Sequence, residues 1–371
     1  MHFLNEHSSW VEIDLSAIEE NVRIIKTLTG ANVMAVVKAN AYGHGAVQVA
    51  NAAIKGGAAW LGVARIEEAL ELRNAGFKQN IFVLGYIPPA HYKSAVDNQI
   101  SLAVWDADQI DLLSNLCCSS NTTARLHLNV DTGMSRLGIS NKMAVELASY
   151  LSEKSGVEFE GIFTHFARAD ERDQVPTELQ EDRFLAVIDD LHKKNIRPQW
   201  VHASNSAASI NRPLARFNMV RVGISIYGLH PSPDCMLPDG FQPALSWKAT
   251  LCQVKEIPPG TGVGYGHEYI TSKNEKIGTV PVGYADGIRR MKGNRVLVRG
   301  RAAPVIGRVC MDQIMIQLDE VPSANVGDEV VIIGCQGGER ISAENIAQRW
   351  GTINYEVVCG INTRVPRFYQ D

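Results

Sequence analysis

Eight short apolar runs recur along the first two thirds of the chain, and segments with helical periodicity separate them. The runs cover residues 33–37, 59–63, 81–84, 102–104, 126–130, 162–163, 200–201 and 219–222. The clearest helical segments between them cover residues 66–74, 108–116 and 178–194. Strands that alternate with helices favour parallel βα units, and eight such units make a (β/α)8 barrel. The pattern therefore predicts an α/β fold that starts with an N-terminal (β/α)8 TIM-type barrel.

Beyond residue 240 the apolar runs alternate with polar residues, and glycine and proline separate them. These runs cover residues 245–254, 276–282, 295–298, 303–306, 314–318 and 329–333. A late helix at 342–350 should begin after Ser342 and end at Gly351. This pattern predicts a mostly β C-terminal domain.

The boundary between the two domains is expected in the proline-rich stretch 230–240, which suits neither a strand nor a helix. We therefore predict a barrel domain at residues 1–238 and a β domain at 239–371. Residues 1–13 include a predicted strand at 10–13 and are expected to pair with the C-terminal domain. A capping box of Ser16 and Glu19 should start the first helix.

Length, composition and charge limit the classes of function. The 371 residues carry a net charge of −4, which gives no electrostatic basis for binding nucleic acid or an anionic membrane surface. No apolar run approaches the roughly 20 residues of a membrane span, and the N-terminus lacks the pattern of a secretory signal. Seven cysteines, without a Cys-x-x-Cys pair, indicate reduced thiols and a cytoplasmic protein. No clustered Cys and His spacing suggests a metal site.

Polar residues follow several of the predicted strands, where a barrel places its functional groups. They are Lys38, Arg65, Asp131, His165, His202 with Asn205 and Ser206, and Arg221. Lys38 ends a buried run and enters a turn of small residues that leads to Tyr42 and Gly43. Burial disfavours the charged form of an amine, so such a lysine is suited to form a Schiff base with an aldehyde cofactor.

The stretch Val-Val-Lys-Ala-Asn-Ala-Tyr-Gly-His-Gly at 36–45 closely resembles the pyridoxal-phosphate lysine motif of the bacterial alanine racemases, which are fold type III enzymes. Seven further segments resemble this family in the same order along the chain. They lie at residues 129–138, 163–167, 202–207, 220–228, 262–266, 307–312 and 353–357. One short motif is weak support, whereas eight in order are strong support.

The resemblance implies a homodimer with shared active sites, pyridoxal 5'-phosphate as cofactor and alanine as substrate. It implies catalytic roles for Lys38 and for Tyr265 of the partner subunit, and contact of Arg136 and Met311 with the substrate. The implied cofactor-binding residues are Lys38, Tyr42, Arg136, His165, Asn205, Ser206, Arg221, Gly223, Ile224 and Tyr355. The implied access channel consists of Asp170, Tyr284, Arg308 and Ile353.

Several of these roles have a chemical reason. Arginine does not give up its proton at neutral pH, so Arg221 beside a pyridine nitrogen would keep that nitrogen unprotonated. Gly223 allows backbone amides to approach a phosphate closely. Racemisation needs a base on each face of Cα, and Tyr265 would serve the face opposite Lys38. We assign neither His165, which would stack on the cofactor, nor His202 as an acid or base.

A difference from the family concerns Asn129, because many members carry a carbamylated lysine there that fixes the arginine corresponding to Arg136. The Asn129 amide instead can donate to an anion or accept from Arg136. Alternatives for the function are a serine or broader amino-acid racemase, and a non-catalytic pyridoxal-phosphate carrier. A decarboxylase of the same fold type fits the segments around Lys38 and Arg221 less well. His44, His91, His127 and His267 are expected to be structural or at the surface.

Overall fold

The structure is a computed structural model that describes residues 6–371. It divides into two compact units. The β unit comprises residues 6–16, 42–45 and 243–371, and the barrel unit comprises 17–41 and 46–242. Strand β1 (Ser9–Asp14) is the first strand of the chain and belongs to the β unit.

The barrel unit is built on parallel strands. They are β2 (Asn32–Val36), β3 (Trp60–Val63), β4 (Asn80–Val83), β5 (Ile100–Val104), β6 (Ala124–Asp131), the short β7 (Ile139–Ser140) beside β6, β8 (Val157–Phe163), β9 (Trp200–His202) and β10 (Met219–Val222). Their order is β10-β2-β3-β4-β5-β6-β8-β9, and the Arg221 amide donates to the Ser204 carbonyl at 2.9 Å beside the remaining gap. The predicted barrel is confirmed as a nearly closed ring of eight strands.

Helices connect these strands. They are α1 (Leu15–Thr29), α2 (Lys38–Tyr42), α3 (Ala46–Lys55), α4 (Ile66–Asn74), α5 (Tyr92–Asp97), α6 (Ala107–Ser120), α7 (Ala144–Glu153), α8 (Val175–Lys193) and α9 (Ser206–Asn211). Three 3-10 turns lie at Pro89–His91, Pro213–Arg216 and Ile224–Tyr227. The helix bounds at Ile66–Asn74 agree with the prediction. The predicted cap at Ser16 is wrong, because α1 begins one residue earlier and includes Ser16.

Apolar side chains from several of these strands form a core of the barrel unit. Its buried members are Met34, Trp60, Phe82, Ala103, Phe163 and Met219. Two histidine rings pack among them, since His127 lies 4.5 Å from the Phe82 ring and His202 stacks on Phe163 at 5.0 Å, both between ring centroids. Buried polar rings in such a core require hydrogen-bond partners.

The β unit contains strands that are mostly antiparallel. After β1 they are β11 (Leu245–Thr250), β12 (Gln253–Ile257), β13 (Gly262–Val263), β14 (Tyr269–Ile270), β15 (Glu275–Val280), β16 (Arg295–Val298), β17 (Arg301–Ile306), β18 (Ile314–Gln317), β19 (Glu329–Gln336), β20 (Glu339–Ile341) and β21 (Arg367–Gln370). The largest sheet has the order β12-β15-β18-β17-β16-β19-β11-β1-β21, with β20 on β19, while β13 and β14 pair separately.

The details of the β unit agree with most of the predicted elements. The run at 245–254, predicted as one strand, is two strands, because the chain leaves β11 after Thr250 and enters another part of the sheet as β12. Helix α10 (Ala343–Trp350) has Ser342 as its N-cap and ends at Gly351 in the left-handed conformation, as predicted. The last helix is α11 (Asn354–Cys359). Strand β1 lies between β11 and β21, and residues 1–5 of the predicted N-terminal segment lie outside the described residues.

Candidate active site

Lys38 stands at the carboxyl end of β2 and begins a turn of unusual hand. Its side chain is half-buried, whereas Ala39 and Asn40 are exposed. From Ala39 to Tyr42 every φ is 52° or 53°, so α2 is a left-handed turn. The left-handed conformation costs non-glycine residues roughly 1–2 kcal/mol each. The turn is therefore held by its surroundings rather than by local preference.

Two side-chain hydrogen bonds hold this turn, one to its own backbone and one from it to the start of α3. Glu68 accepts a hydrogen bond from the Ala39 amide at 2.5 Å, and Asn40 accepts one from the Ala46 amide at 2.9 Å. Glu68 also accepts from the Ala64 amide at 2.8 Å, so one carboxylate links the ends of β2 and β3. These contacts fix the backbone from which the Lys38 amine projects.

Arg221 is buried at the end of β10, with 3% of its surface exposed. Its Nη2 donates to the carbonyls of Thr164 and Ala203 at 2.8 and 2.9 Å and lies 3.1 Å from Nδ1 of His165. Its Nη1 lies 2.9 Å from Nδ1 of His202. Its Nε makes no hydrogen bond to any residue in the part of the chain that the structure describes. This nitrogen is therefore left to bind an acceptor from outside the protein.

Positive charge is concentrated around His165. Burial, and then the charges of Arg221, Arg136 and Lys38, hold the pKa of His165 well below its usual value. Burial, and then the charge of Arg136, lower the pKa of Arg221 to about 9, which still leaves a cation at neutral pH. Within residues 6–371 no carboxylate forms an ion pair with Arg136 or Arg221. Such a cluster favours an anionic ligand.

Ser206 connects α9 to the loop after β10. Its Oγ accepts hydrogen bonds from the Gly223 amide at 3.0 Å, the Ser225 hydroxyl at 3.0 Å and the Ser225 amide at 3.4 Å. Its own O–H donates to no acceptor among the described residues. The Asn205 side chain caps α9 by accepting from the Ala208 amide at 3.0 Å, and Ile224 begins a 3-10 turn. Ser206 and the Gly223–Ile224 backbone thus lie together, while the carboxamide oxygen of Asn205 is used within the protein.

The β unit brings Tyr42 and Tyr355 together, with ring centroids 6.1 Å apart. Tyr42 is buried, and burial followed by the charge of Cys359 raises the pKa of its phenol, so it remains protonated. A Cβ on Gly43 would lie 2.4 Å from the Val358 carbonyl oxygen, and its φ of +84° also favours glycine. The close approach of backbone to α11 thus requires glycine after Tyr42.

Tyr265 projects from a short turn and is 69% exposed. A surface groove is lined by Tyr265 and Met311 together with Asp312 and Gln313. Arg308 lies against the same turn and pairs with Glu268 at 2.6 Å. Since exposed aromatic and apolar side chains in a polar groove are typical of a contact surface, this face is suited to meet another molecule.

The remaining predicted channel residues lie at the surface of their units. Tyr284 is 44% exposed, and its amide donates to the Cys310 carbonyl at 3.0 Å. Ile353 is 60% exposed and precedes α11. Asp170 is half-buried in the loop after β8, and its carbonyl accepts from the Ser232 hydroxyl at 2.5 Å. The structure thus places Tyr284 and Ile353 in one unit and Asp170 in the other.

Asn129 is buried on β6, with 7% of its surface exposed. In the chain from residue 6 onwards no hydrogen bond joins its amide to Arg136, which lies in an exposed loop. The predicted alternative in which Asn129 accepts from Arg136 is therefore absent from this structure. The electrostatic effect of Arg136 is instead felt by His165 and Arg221.

His127 was predicted to be structural or at the surface, and the structure places it fully buried in a polar contact with His202. Its other ring nitrogen contacts Glu160 at 3.0 Å. The sequence contained a signal for this, because a histidine and a glutamate interrupt the apolar strands β6 and β8. Neither residue was predicted to be functional.

The described part of the chain shows neither a metal-ion cluster nor a membrane-spanning helix. Between residues 6 and 371, no group of three or more His, Cys, Asp or Glu side chains is placed to hold a metal ion. In the same range no helix has the length and apolar character to cross a membrane.

Comparison with known proteins decides the family. The profile of the alanine racemase N-terminal domain matches residues 13–231, and that of the alanine racemase C-terminal domain matches residues 244–369. The chain belongs to the alanine racemase family. It is 46% identical to the alanine racemase of Halothermothrix orenii, over 98% of this chain and 97% of that protein. It is 45% identical to the enzyme of Symbiobacterium thermophilum, over 97% of each chain.

Solved structures of alanine racemases share the fold. The alanine racemase of Clostridium difficile 630 superposes with a TM-score of 0.94 at 38% identity, covering 98% of this chain and 96% of that one. The alanine racemase of Bacillus anthracis with bound L-Ala-P superposes with a TM-score of 0.93 at 41% identity, covering 98% and 95%. Membership of the alanine racemase family is thus supported by sequence and by fold over nearly the whole chain.

Proposed function

We propose that the chain is a pyridoxal 5'-phosphate-dependent alanine racemase that interconverts L-alanine and D-alanine with two bases. Lys38 serves one face of the substrate and Tyr265 of the partner subunit serves the other. The division near residue 239 separates a barrel that holds the cofactor from a domain that completes the partner's site. The product D-alanine would supply peptidoglycan synthesis in the cytoplasm. Serine, which differs from alanine by one hydroxyl, is the alternative substrate.

The observation that carries the proposal is the cation cluster at the strand ends of the barrel. Lys38, Arg136 and Arg221 act on one histidine, and no described carboxylate pairs with either arginine. A doubly anionic phosphate ester with a carboxylate-bearing substrate would neutralise this charge. The donor set therefore fits pyridoxal phosphate.

Each part of the cofactor has suitable residues. The Lys38 amine would hold its aldehyde carbon, and the unused Nε of Arg221 would donate to the ring nitrogen. The uncommitted O–H of Ser206, with the phenols of Tyr42 and Tyr355, would bind the phosphate. The bound cofactor supplies an electron-withdrawing group that acidifies the Cα–H bond of an attached amino acid.

The protein must move one proton on each face of Cα. The Lys38 amine would take the proton from, or return it to, the face of Cα that Lys38 faces. The Tyr265 phenol, exposed on its own subunit, would do so on the opposite side. Met311 lines the same groove as Tyr265 and would present its backbone N–H to the substrate carboxylate. The shared groove explains why a methionine stands beside the second base.

The cofactor linkage is tested by reconstitution and borohydride reduction. The protein should turn yellow, and mass spectrometry of a digest should locate the reduced label on Lys38. Lys55→Ala, which alters an exposed lysine at the end of α3, is the matched control and should retain the label. Label on another lysine would contradict the cofactor assignment.

The shared site is tested by mixing inactive Lys38→Ala and Tyr265→Ala proteins under conditions of demonstrated subunit exchange. A mixed dimer has one intact and one doubly altered site, so activity should return to about half of normal per mixed dimer. Activity is measured by chiral chromatography of L-alanine and L-serine in deuterated water. Exchange without recovery would place both bases on one chain.

A further inference from the structure

A buried line of hydrogen bonds leads from Arg221 through the interior of the barrel unit. Nη1 of Arg221 lies 2.9 Å from Nδ1 of His202, and Nε2 of His202 lies 2.8 Å from Nδ1 of His127. Nε2 of His127 lies 3.0 Å from Oε2 of Glu160. We call these four residues the histidine relay. Both histidines are fully buried, and Glu160 and Arg221 are 5% and 3% exposed.

The two ends of the relay determine where its protons lie. A guanidinium only donates, so Nδ1 of His202 must accept and Nε2 of a neutral His202 must carry the proton. That N–H donates to Nδ1 of His127, which leaves the His127 proton on Nε2. An ionised carboxylate only accepts, so Glu160 is the matching terminus. With both ends fixed, one arrangement of tautomers satisfies every contact.

The charge states agree with this arrangement. Burial lowers the pKa of both histidines, and the charge of Arg221 acts in the same direction. Burial raises the pKa of Glu160, but its contacts with His127, Ser101 and Arg125 together outweigh burial, so the pKa is lowered. The Ser101 hydroxyl donates to the same oxygen at 2.5 Å, and Arg125 lies 3.6 Å from the other. The relay therefore has neutral histidines between a cation and an anion.

We propose that Glu160 and His127 are positioning residues, which hold His202 in the tautomer that accepts from Arg221 and so fix the guanidinium at the mouth of the barrel. An amide at 160 would allow either an oxygen or an NH2 group to face His127. With the NH2 group inward, both histidines would reverse and His202 would point an N–H at Arg221. Two donors would then face each other, and Arg221 would lose one of the bonds that hold it.

The tautomers are measured on apoprotein labelled with 15N-histidine, by two-bond proton–nitrogen correlation spectra. Single His127→Gln and His202→Gln proteins assign the two resonances. Wild-type protein should show both rings protonated at Nε2 at pH 8, and His202 should keep this neutral tautomer at pH 5.5. A proton on Nδ1 of His202 in the wild type would overturn the proposal without use of any variant.

Glu160→Gln should give reversed or mixed tautomers at both histidines, and its matched control is Glu158→Gln, an exposed position on the same strand. Ser101→Ala removes a donor but keeps the carboxylate, so it should preserve the tautomers. Unchanged tautomers in a folded Glu160→Gln protein would refute the role of Glu160.

The catalytic consequence rests on the proposed function. In the loaded enzyme, Glu160→Gln should lower kcat roughly tenfold, the loss expected for one charge-assisted hydrogen bond, with little change in KM. Reversed tautomers with full activity would overturn the link from the relay to catalysis. A wild-type protein with the expected tautomers but no racemase activity would instead contradict the proposed function alone.

Discussion

Acidification should destabilise the barrel unit through the two histidines of the relay. The folded pKa values of His127 and His202 are lowered mainly by burial, whereas a histidine in an unfolded chain titrates near 6.5. Below that pH the unfolded chain binds protons that the folded protein excludes. Their contribution to stability is therefore fully present above about pH 6.5 and is lost as the pH falls.

The magnitude follows from the unfolded-state titration. A histidine that stays neutral when folded lowers the free energy of unfolding by roughly 1 kcal/mol between pH 6.5 and 5.5. His202, whose pKa is held well below the ordinary value, should contribute this whole amount. His127 should contribute less, because its hydrogen bond to Glu160 opposes the effect of burial. Carboxylates titrate near 4 in unfolded chains and add little in this window.

The assay is urea denaturation of the apoprotein at pH 7.5, 6.5 and 5.5, followed by tryptophan fluorescence. His202→Gln should reduce the loss between pH 6.5 and 5.5 by about 1 kcal/mol. His192→Gln is the control, since His192 is exposed on α8 of the same unit, and it should leave the pH dependence unchanged. An identical pH dependence in wild type and His202→Gln would refute the assignment of His202 as a neutral buried ring.

Three further predictions concern the β unit. Tyr284→Ala should change KM or admit larger amino acids, and unchanged kinetics with every substrate would contradict its place in the channel. Gly43→Ala and Gly30→Ala both force a left-handed alanine, but only at Gly43 does the new Cβ meet a backbone carbonyl, at 2.4 Å. In urea denaturation, Gly43→Ala should lose more unfolding free energy than Gly30→Ala, by at least about 1 kcal/mol. Equal losses in the two variants would argue against the close approach of the backbone at Gly43. In Gly283→Ala the Cβ would lie 2.2 Å from the Met311 carbonyl oxygen. The loop that carries Met311 would have to shift, so KM for alanine should rise about tenfold. An unchanged KM would show that this loop does not contribute to substrate binding.

The sequence determined the fold class of this protein. Most strands of the barrel contain a short apolar run because they are buried, and the clearest helices between them show helical periodicity. The resemblance around Lys38 identified the family, and the comparisons confirmed it. Both ends of α10 could also be predicted, because the Ser342 cap at its start and Gly351 at its end each act within one turn of the helix.

Tertiary structure decided the features that depend on contacts distant in sequence. Local preference gave no reason for four left-handed residues after Lys38, which Glu68 and Asn40 stabilise by side-chain hydrogen bonds. A single apolar run at 245–254 contained no sign that the chain would change its place in the sheet.

The histidine relay is the clearest feature that could not be predicted from the sequence, because it depends on contacts between distant residues. Pairing of β5, β6, β8 and β9 brings Ser101, Glu160, His127 and His202 into contact from positions up to about a hundred residues apart. A sequence shows which residues can donate or accept a proton. Only the nearly closed arrangement of strands, which excludes water and sets the partner of each ring nitrogen, fixes the direction in which they do so.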